Sequence, residues 1–589
     1  MEKKFLSILF LLSAAVFANA QDVTSYRGAF APAPEKMWTD SWTNWDPQNT
    51  VYGASNVTVT GHITTNTLWT SNNVYKLSGI VYVDTLVTLT IQPGTVIRGD
   101  ETVSNSSLIV RRGGKLIAEG TQCNPIVFTS NKAVGSRALA DWGGIILLGK
   151  AKNNAPGGLV QIEGLAVAPE HQHGGTDNSD NSGILKYVRV EYGGFVFSPN
   201  NEINGLTMGS VGAGTTIDYV QCSFINDDAF EWFGGNVNAK HLVAYRCLDD
   251  DFDTDFGYSG TVQYGLSVKD PAISDNPAVS TSEGFESDND PTGTNESLQP
   301  KTSAKFYNIT HLGGFRCASN ANGSGVAPTA AGFRRGARIR RNSDLKIVNS
   351  IFMGDRRGLF LDGALALANV DQDSLVFRNN IFASDYTTNF TSASGNGVLQ
   401  IAEDATTRAK MTLAAYANDS LNTCSLLTNA WNFLNPDYRP NTGGDGAIVT
   451  DPANLSVGAD LVPFIDIAGG LFIANEQKDM SVFVLENGGG STNGVITVTI
   501  PAISGWDITV DGVAANNSNW NFSVVGGTVT ATSKPGVVIE KFGFSQLAFK
   551  AKRKGTTPTG TSQNLGVTAE GAGDVTPANN GTVTIFSAN

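Results

Sequence analysis

Two acidic runs recur 22 positions apart. Asn226-Asp227-Asp228-Ala229-Phe230-Glu231 is followed by Leu248-Asp249-Asp250-Asp251-Phe252-Asp253, so Asp227 returns as Asp249 and Phe230 as Phe252. If the runs lie on neighbouring strands, ~4.8 Å apart, their carboxylates repel unless protonated, hydrogen-bonded or bridged by a cation. A hard, oxygen-preferring ion suits such a set, and Ca²⁺ is the natural one. Asp227, Asp228, Asp249, Asp250, Asp253 and Asp255 are the candidate ligands. Glu231 and Asp251 extend the ridge, and Glu283, Glu286, Asp288 and Asp290 are expected to fold over it. The run from Asp249 is not an EF-hand: its sixth position falls on Thr254 or Phe256 rather than Gly, and the bidentate acid is missing. The competing account is a ladder of aspartates satisfied by backbone amides in tight turns.

A calcium ion beside a base supports elimination from an acidic sugar: the metal acidifies the proton next to the carboxylate and Arg or Lys removes it. Candidate catalytic groups are Lys240, Arg335, Arg357 and Asp253, and no single acid–base pair stands apart. Paired carboxylates could instead hydrolyse a glycosidic bond. A second 22-residue step relates Gly332-Phe333-Arg334-Arg335-Gly336 to Gly354-Asp355-Arg356-Arg357-Gly358. Arg334, Arg335, Arg356 and Arg357, with Arg338, Arg340 and Arg341 nearby, form a basic patch that could bind an acidic glycan without catalysis; alternatively they are a solvated face pairing with the acids. His171 and His173 could share a transition metal only in extended geometry with further ligands, and exposed loop residues are the simpler reading. No P-loop, Rossmann glycine motif, nucleophile elbow or Cys-x-x-Cys pair is present.

The elements that position these residues follow from repetition. Short β-type segments precede or flank the motifs: Leu185–Val188, Ile217–Val220, Ala304–Tyr307, Leu345–Val348 and Leu375–Arg378, the last three followed by Asn308, Asn349 and Asn379. Strand, asparagine turn and strand make one side of a coil, and stacked coils of twenty-odd residues make a parallel β-helix. An ordinary β-sandwich explains the 22-residue steps less well. Composition agrees: 65 of 589 residues are Gly, only 16% are charged and the net charge is −14. That balance excludes nucleic-acid binding, coiled coils and disorder as organising themes. Lys3 and Lys4, the apolar run Phe5–Phe17 and Ala18-Asn19-Ala20 read as a signal peptide over 1–20, with the chain at −15 after its removal. Export to the extracellular space or outer cell surface follows, with the periplasm as the other open compartment. No later run is long enough for a transmembrane helix. Five cysteines, odd in number and widely spaced, argue against a disulfide framework and read as small buried apolar residues. Cys222 and Cys247 differ by 25 rather than 22, so no bond is expected between them.

Tyr26-Arg27-Gly28-Ala29-Phe30 with Trp38, Trp42 and Trp45, Trp142-Gly143-Gly144, Tyr187 to Gly194, Asp227 to Gly235, Asp249 to Tyr258 and Gly284 to Asp290 form a set. As a set they resemble the secreted right-handed parallel β-helix proteins of Bacteroidetes-type bacteria, in the pectate-lyase-like solenoid class. The resemblance covers roughly residues 23–400 and implies fold and export; the family's function is unassigned. The tail, with Glu570-Gly571-Ala572-Gly573-Asp574 and Asn579-Asn580-Gly581, loosely resembles bacterial conserved-repeat immunoglobulin-like surface modules.

The expected organisation is all-β: a signal peptide at 1–20, an N-terminal cap at 21–75 and a parallel β-helix at 76–402 with an excursion at 265–303. A partly helical cap and junction follows at 403–477, with its best helix over 405–416, and a β-sandwich at 478–589. The Trp38, Trp42 and Trp45 cluster belongs to the cap or core rather than to a sugar platform. The favoured function is a non-catalytic surface or matrix protein that binds a glycan or cell-surface component, with calcium as a structural ion. The alternative is a Ca²⁺-dependent polysaccharide lyase or glycoside hydrolase acting on acidic glycans.

Overall fold

The computed structural model describes residues 22, 24–198, 201–276, 280–290, 292–314, 332–355, 357–372, 374–384, 400–402, 409–411, 416–421, 423–441, 444–450, 461–467, 471–486, 492, 494–512, 514–539, 544–571 and 581–588. The signal-peptide reading at 1–20, Arg356 and most of the predicted helix 405–416 lie outside them. The chain divides into two units, Met1–Asp451 and Pro452–Asn589.

The first unit is a parallel β-helix whose coils have three faces. On the first face, Leu206–Val211, Phe230–Gly235, Phe252–Asp255, Phe285–Ser287, Arg335–Arg340 and Arg357–Asp362 pair in succession, all parallel. The second and third faces come from long strands with a sharp bend, Gly183–Glu191, Thr216–Ser223, Asn238–Tyr245, Thr261–Val268 and Lys305–Leu312. The expected 22-residue steps are present as Phe230 opposite Phe252 and Arg335 opposite Arg357. Inside, like stacks on like: Phe230, Phe252 and Phe285 lie with ring centroids 5.9 and 5.1 Å apart. Each such side chain, fully buried, contributes about 1.5–3 kcal/mol.

The bend between the second and third faces demands a left-handed backbone. Tyr187, Tyr219, His241, Tyr264, Asn308, Asn349 and Asn379 all occupy it, with φ between 49° and 61°. Asparagine visits that region routinely, whereas tyrosine there costs about 1–2 kcal/mol. The cost is met by stacking: Tyr187 on Tyr219 at 4.4 Å, Tyr219 on His241 at 4.1 Å and His241 on Tyr264 at 5.0 Å, each pair adding about 0.5–1.5 kcal/mol. In later coils the corner turns to amides, and Asn379 Nδ2 donates to Asn349 Oδ1 at 2.6 Å. This corrects the register read from sequence by two residues: Leu185 and Ile217 fall in line with Phe306 and Ile347, not with Ala304 and Leu345.

The solenoid ladder starts at Val57–Ile63 and its last strand is Asp419–Leu421, so it extends beyond both expected limits. The single excursion expected at 265–303 is two insertions, because Thr261–Val268 and Phe285–Ser287 are coil strands. Further insertions occupy 149–182 and 192–205. The N-terminal segment runs along the side of the coils rather than closing an end. Asp22 bonds Gln263, Gly28 N bonds Asn349 O, Asn44 bonds Gln221 and Tyr52 bonds Glu191, so it first runs forward to the Asn349 coil and then back across earlier coils. Trp42, buried, packs edge-on to Tyr187 and Tyr219 and stacks with Trp38.

Cys222 lies opposite Ala244, and Cys222 and Cys247 are free, as expected. Cys123 is exposed, contrary to the buried reading, and Cys424 is disulfide-bonded. The second unit holds a four-stranded sheet, which includes Leu461–Ile467 and Gln477–Glu486, and a six-stranded one. Alternating residues of both, among them Val482, Val484, Val498, Val529 and Phe549, form one buried core, which makes it a β-sandwich.

Trp42→Ala is expected to lower the stability of the first unit by about 3–5 kcal/mol, read by denaturant unfolding. A thiol reagent is expected to label Cys123 in the native protein and Cys222 and Cys247 only after unfolding, because burial pushes the Cys247 thiol up to about 12.

Candidate metal centre

The turn from the third face to the first carries the acids, and the coil register stacks them. Asp228 N–H donates to Asn204 Oδ1 (3.2 Å), Asp250 N–H to Asp228 Oδ1 (2.8 Å) and Glu283 N–H to Asp250 Oδ1 (2.6 Å). Asp228 and Asp250 thus each accept from the backbone of the next coil with one oxygen. Three residues further on, Glu231, Asp253 and Glu286 stand opposite one another. The backbone-amide ladder and the carboxylate cluster are therefore both present.

These side chains wall a cavity of about 520 Å³ lined by twelve carboxylates, one arginine, Asn226, Leu248 and Ser280. Asp227, Asp228, Asp249, Asp250, Asp253 and Asp255 all line it, as do Glu231, Glu286 and Asp288. Glu286 and Asp288 arrive by stacking as the next coil rather than by folding over. Asp290 turns to its own loop, accepting from Thr292 and Asn295. Asp251 does not line the cavity: fully buried, it pairs with Lys269 at 3.1 Å and accepts from Ser267. What does fold over the ridge is Glu163, Glu202 and Asp275, from the insertions at 149–182, 192–205 and 269–284. Sequence reasoning missed these three, since an isolated acid in an insertion carries no periodic signal.

Burial, and then the neighbouring acids, push Asp227, Asp228, Glu231, Asp249, Asp250, Asp253 and Asp255 well above the usual carboxylate range. Burial, with Glu286 beside them, pushes Glu283 and Asp288 up to about 7 against the pull of nearby arginines. Three groups bring one oxygen per residue within 4.8 Å of one another: Asp227, Asp228 and Asp249; Asp228, Glu231 and Asp253; Asp250, Glu283 and Glu286. Asp249 Oδ1, Asp253 Oδ1 and Glu283 Oε2 are buried without a hydrogen-bond partner. Each group thus contains a carboxylate with an unpartnered buried oxygen, which fits a hard divalent cation.

The basic residues are placed differently from expectation. The arginines of the following coil pair with the acids: Arg335 meets Glu283 (3.2 Å), Arg338 meets Glu286 (3.3 Å), and Arg340 meets Asp288 (2.6 Å) and Glu286. Arg335 also lies 4.0 Å over the Phe360 ring and is in register with Arg357. Arg334 is exposed. Lys240 sits on the second face, paired with Asp22 at 2.9 Å, and does not line the cavity. His171 and His173 are buried, not exposed: His171 meets the Tyr82 hydroxyl at 2.8 Å, and His173 meets Ser210 Oγ at 2.8 Å, held neutral by burial.

A carboxyl raised on folding stabilises the protein fully below its unfolded pKa, and that contribution is lost as pH rises through the folded value. Glu283 and Asp288 move from 4.5 and 3.8 to about 7. Carboxyls held low, such as Asp100 at about 2 beside Lys76 and Thr102, act only in more acid solution. Chelator-treated protein is therefore expected to lose thermal stability as pH rises through 7, by roughly a few degrees. Ca²⁺ is expected to restore it there and to matter little near pH 5 in melting curves.

Among solved structures, matches include the CARDB domain of a Pyrococcus furiosus protein in complex with di-metal ions (14% identity, 22% of this chain and 90% of that one, TM-score 0.16). A variant of BcpA, the major pilin subunit of Bacillus cereus, gives 16% identity over 22% of this chain and 38% of that one, TM-score 0.15. A non-cellulosomal cohesin from Archaeoglobus fulgidus gives 12% identity over 22% and 91%, TM-score 0.15. No curated protein matches the chain. The family model described as a pectate-lyase like beta helix domain matches residues 61–432, the whole of the stacked ladder but its first few residues, and the chain belongs to that family.

Proposed function

We propose that this protein is an exported, non-catalytic β-helix that binds calcium in the acidic cavity and holds a glycan or cell-surface partner on its lateral faces. The observation that carries the reading is a wall of twelve carboxylates whose one cation, Arg340, is itself held by Glu286 and Asp288. Those two acids hold the guanidinium firmly protonated, above the already high arginine range, against the opposing effect of burial. Such a group is a poor acceptor for a sugar proton, which disfavours elimination with an arginine base on the cavity wall. A divalent ion answers the repulsion among the acids, and once bound it offers an anionic partner a point of attachment that the bare cavity would repel.

Calorimetric titration of chelator-treated protein with CaCl₂ is expected to show saturable binding. Asp228→Asn, which removes the charge of a carboxylate common to two of the groups, is expected to weaken it by roughly tenfold or more. Absence of heat would sink the calcium reading. Unsaturated products released from acidic polysaccharides would overturn the non-catalytic one.

A further inference from the structure

We propose that a second cavity, at the corner where the third-face strands end, binds a small hydroxylated carboxylate. It has a volume of about 430 Å³ and is lined by Gln48, Arg137, Ala138, Leu139, Tyr192, Phe224 and Arg246. Tyr192, Phe224 and Arg246 are successive corner residues, each with positive φ, after the third-face strands. Tyr192 stacks on Phe224 at 5.4 Å. Gln48 comes from the N-terminal strap and Arg137 from the loop between Ile126–Ser130 and Ile145–Leu148.

Three polar atoms of these residues are buried without a hydrogen-bond partner: Gln48 Oε1, Arg137 Nε and the Tyr192 hydroxyl. Arg137 and Tyr192 are only 4% and 2% exposed. The two arginines differ. Arg246 is neutralised by Asp270 at 2.5 Å and lies over Phe224 and Phe433 at 4.6 and 4.4 Å. Arg137 donates to the Pro47 carbonyl and lies 4.9 Å over Tyr52, but no carboxylate among the described residues pairs with it. A buried guanidinium without a counter-charge is costly. Water would satisfy the hydrogen bonds and leave that charge unanswered.

The chemistry that completes the site is specific. One carboxylate answers Arg137, a hydroxyl donates to Gln48 Oε1, a second oxygen bonds the Tyr192 hydroxyl, and an apolar face rests on Phe224 and Leu139. A uronate unit of a glycan and a free aromatic hydroxy acid both carry these features. The site does not depend on the acidic cavity, so it stands if calcium binding there fails.

The test is ligand-detected NMR on the full chain with glucuronate, 4-hydroxybenzoate and glucose as probes. A chelator is present, so that no cation bridges a carboxylate to the acidic cavity. Glucuronate or 4-hydroxybenzoate is expected to bind with Kd of about 1 mM or tighter, and glucose at least about tenfold more weakly. Glucuronate alone identifies a sugar source, 4-hydroxybenzoate alone an aromatic one, and either supports the site. Arg137→Met is expected to weaken the carboxylate about tenfold or more, and Tyr192→Phe, which removes only a hydroxyl, a few-fold. If Arg137→Met does not fold, Tyr192→Phe decides. No binding by either carboxylate, equal binding of glucose, or binding unchanged in a folded variant overturns the proposal.

Discussion

In a parallel ladder held in register, every outward position meets its counterpart one coil later, ~4.8 Å away. The constraint is favourable inside the solenoid, where Phe230, Phe252 and Phe285 pile up as one column. Outside it is indifferent to sign. On the first face it sets Glu231 against Asp253 and Asp253 against Glu286, and only then Glu286 against Arg338. Charge repulsion therefore accumulates over three coils and is relieved at one boundary. The ion pairs of Arg335, Arg338 and Arg340 neutralise that boundary; of the three, only Arg340 reaches the cavity wall.

The same register explains the corner. A bend repeated in each coil must use the same backbone conformation, and the left-handed region admits few residue types cheaply. The middle coils accept tyrosine and histidine there because the rings stack on one another, and the N-terminal strap then lays Trp38 and Trp42 against them. The later coils use asparagine, whose amides bond along the stack. Strain at one residue is offset by contact with its equivalents, which only a repeat can arrange.

Two cavities of opposite character lie at the turn between the third and first faces. One gathers carboxylates with a single, neutralised arginine. The other gathers aromatic rings with a buried arginine that no described carboxylate answers. Both are completed by segments outside the coils: insertions supply Glu163, Glu202 and Asp275 to the first, and the strap and a loop supply Gln48 and Arg137 to the second. The solenoid provides the ladder, and the departures from it close the sites.

Much of the fold was legible because repetition is written in sequence. The 22-residue steps set Phe230 over Phe252 and Arg335 over Arg357, and the acids of two coils had to meet. The corner register was misread by two residues, because a shift of two keeps each side chain on its face and leaves the apolar pattern unchanged. Which acids leave the ridge was also hidden: Asp251 and Asp290 are spelled like their neighbours, yet local bonds to Lys269 and to a loop turn them away. By itself the sequence determined the coil, its period and the chemical type of each stacked column, since those depend on local spacing. The tertiary structure alone decided which insertions close over the columns, which charges find partners and which stay unanswered. Those depend on segments far apart in the chain meeting across coils, and no local spacing encodes that.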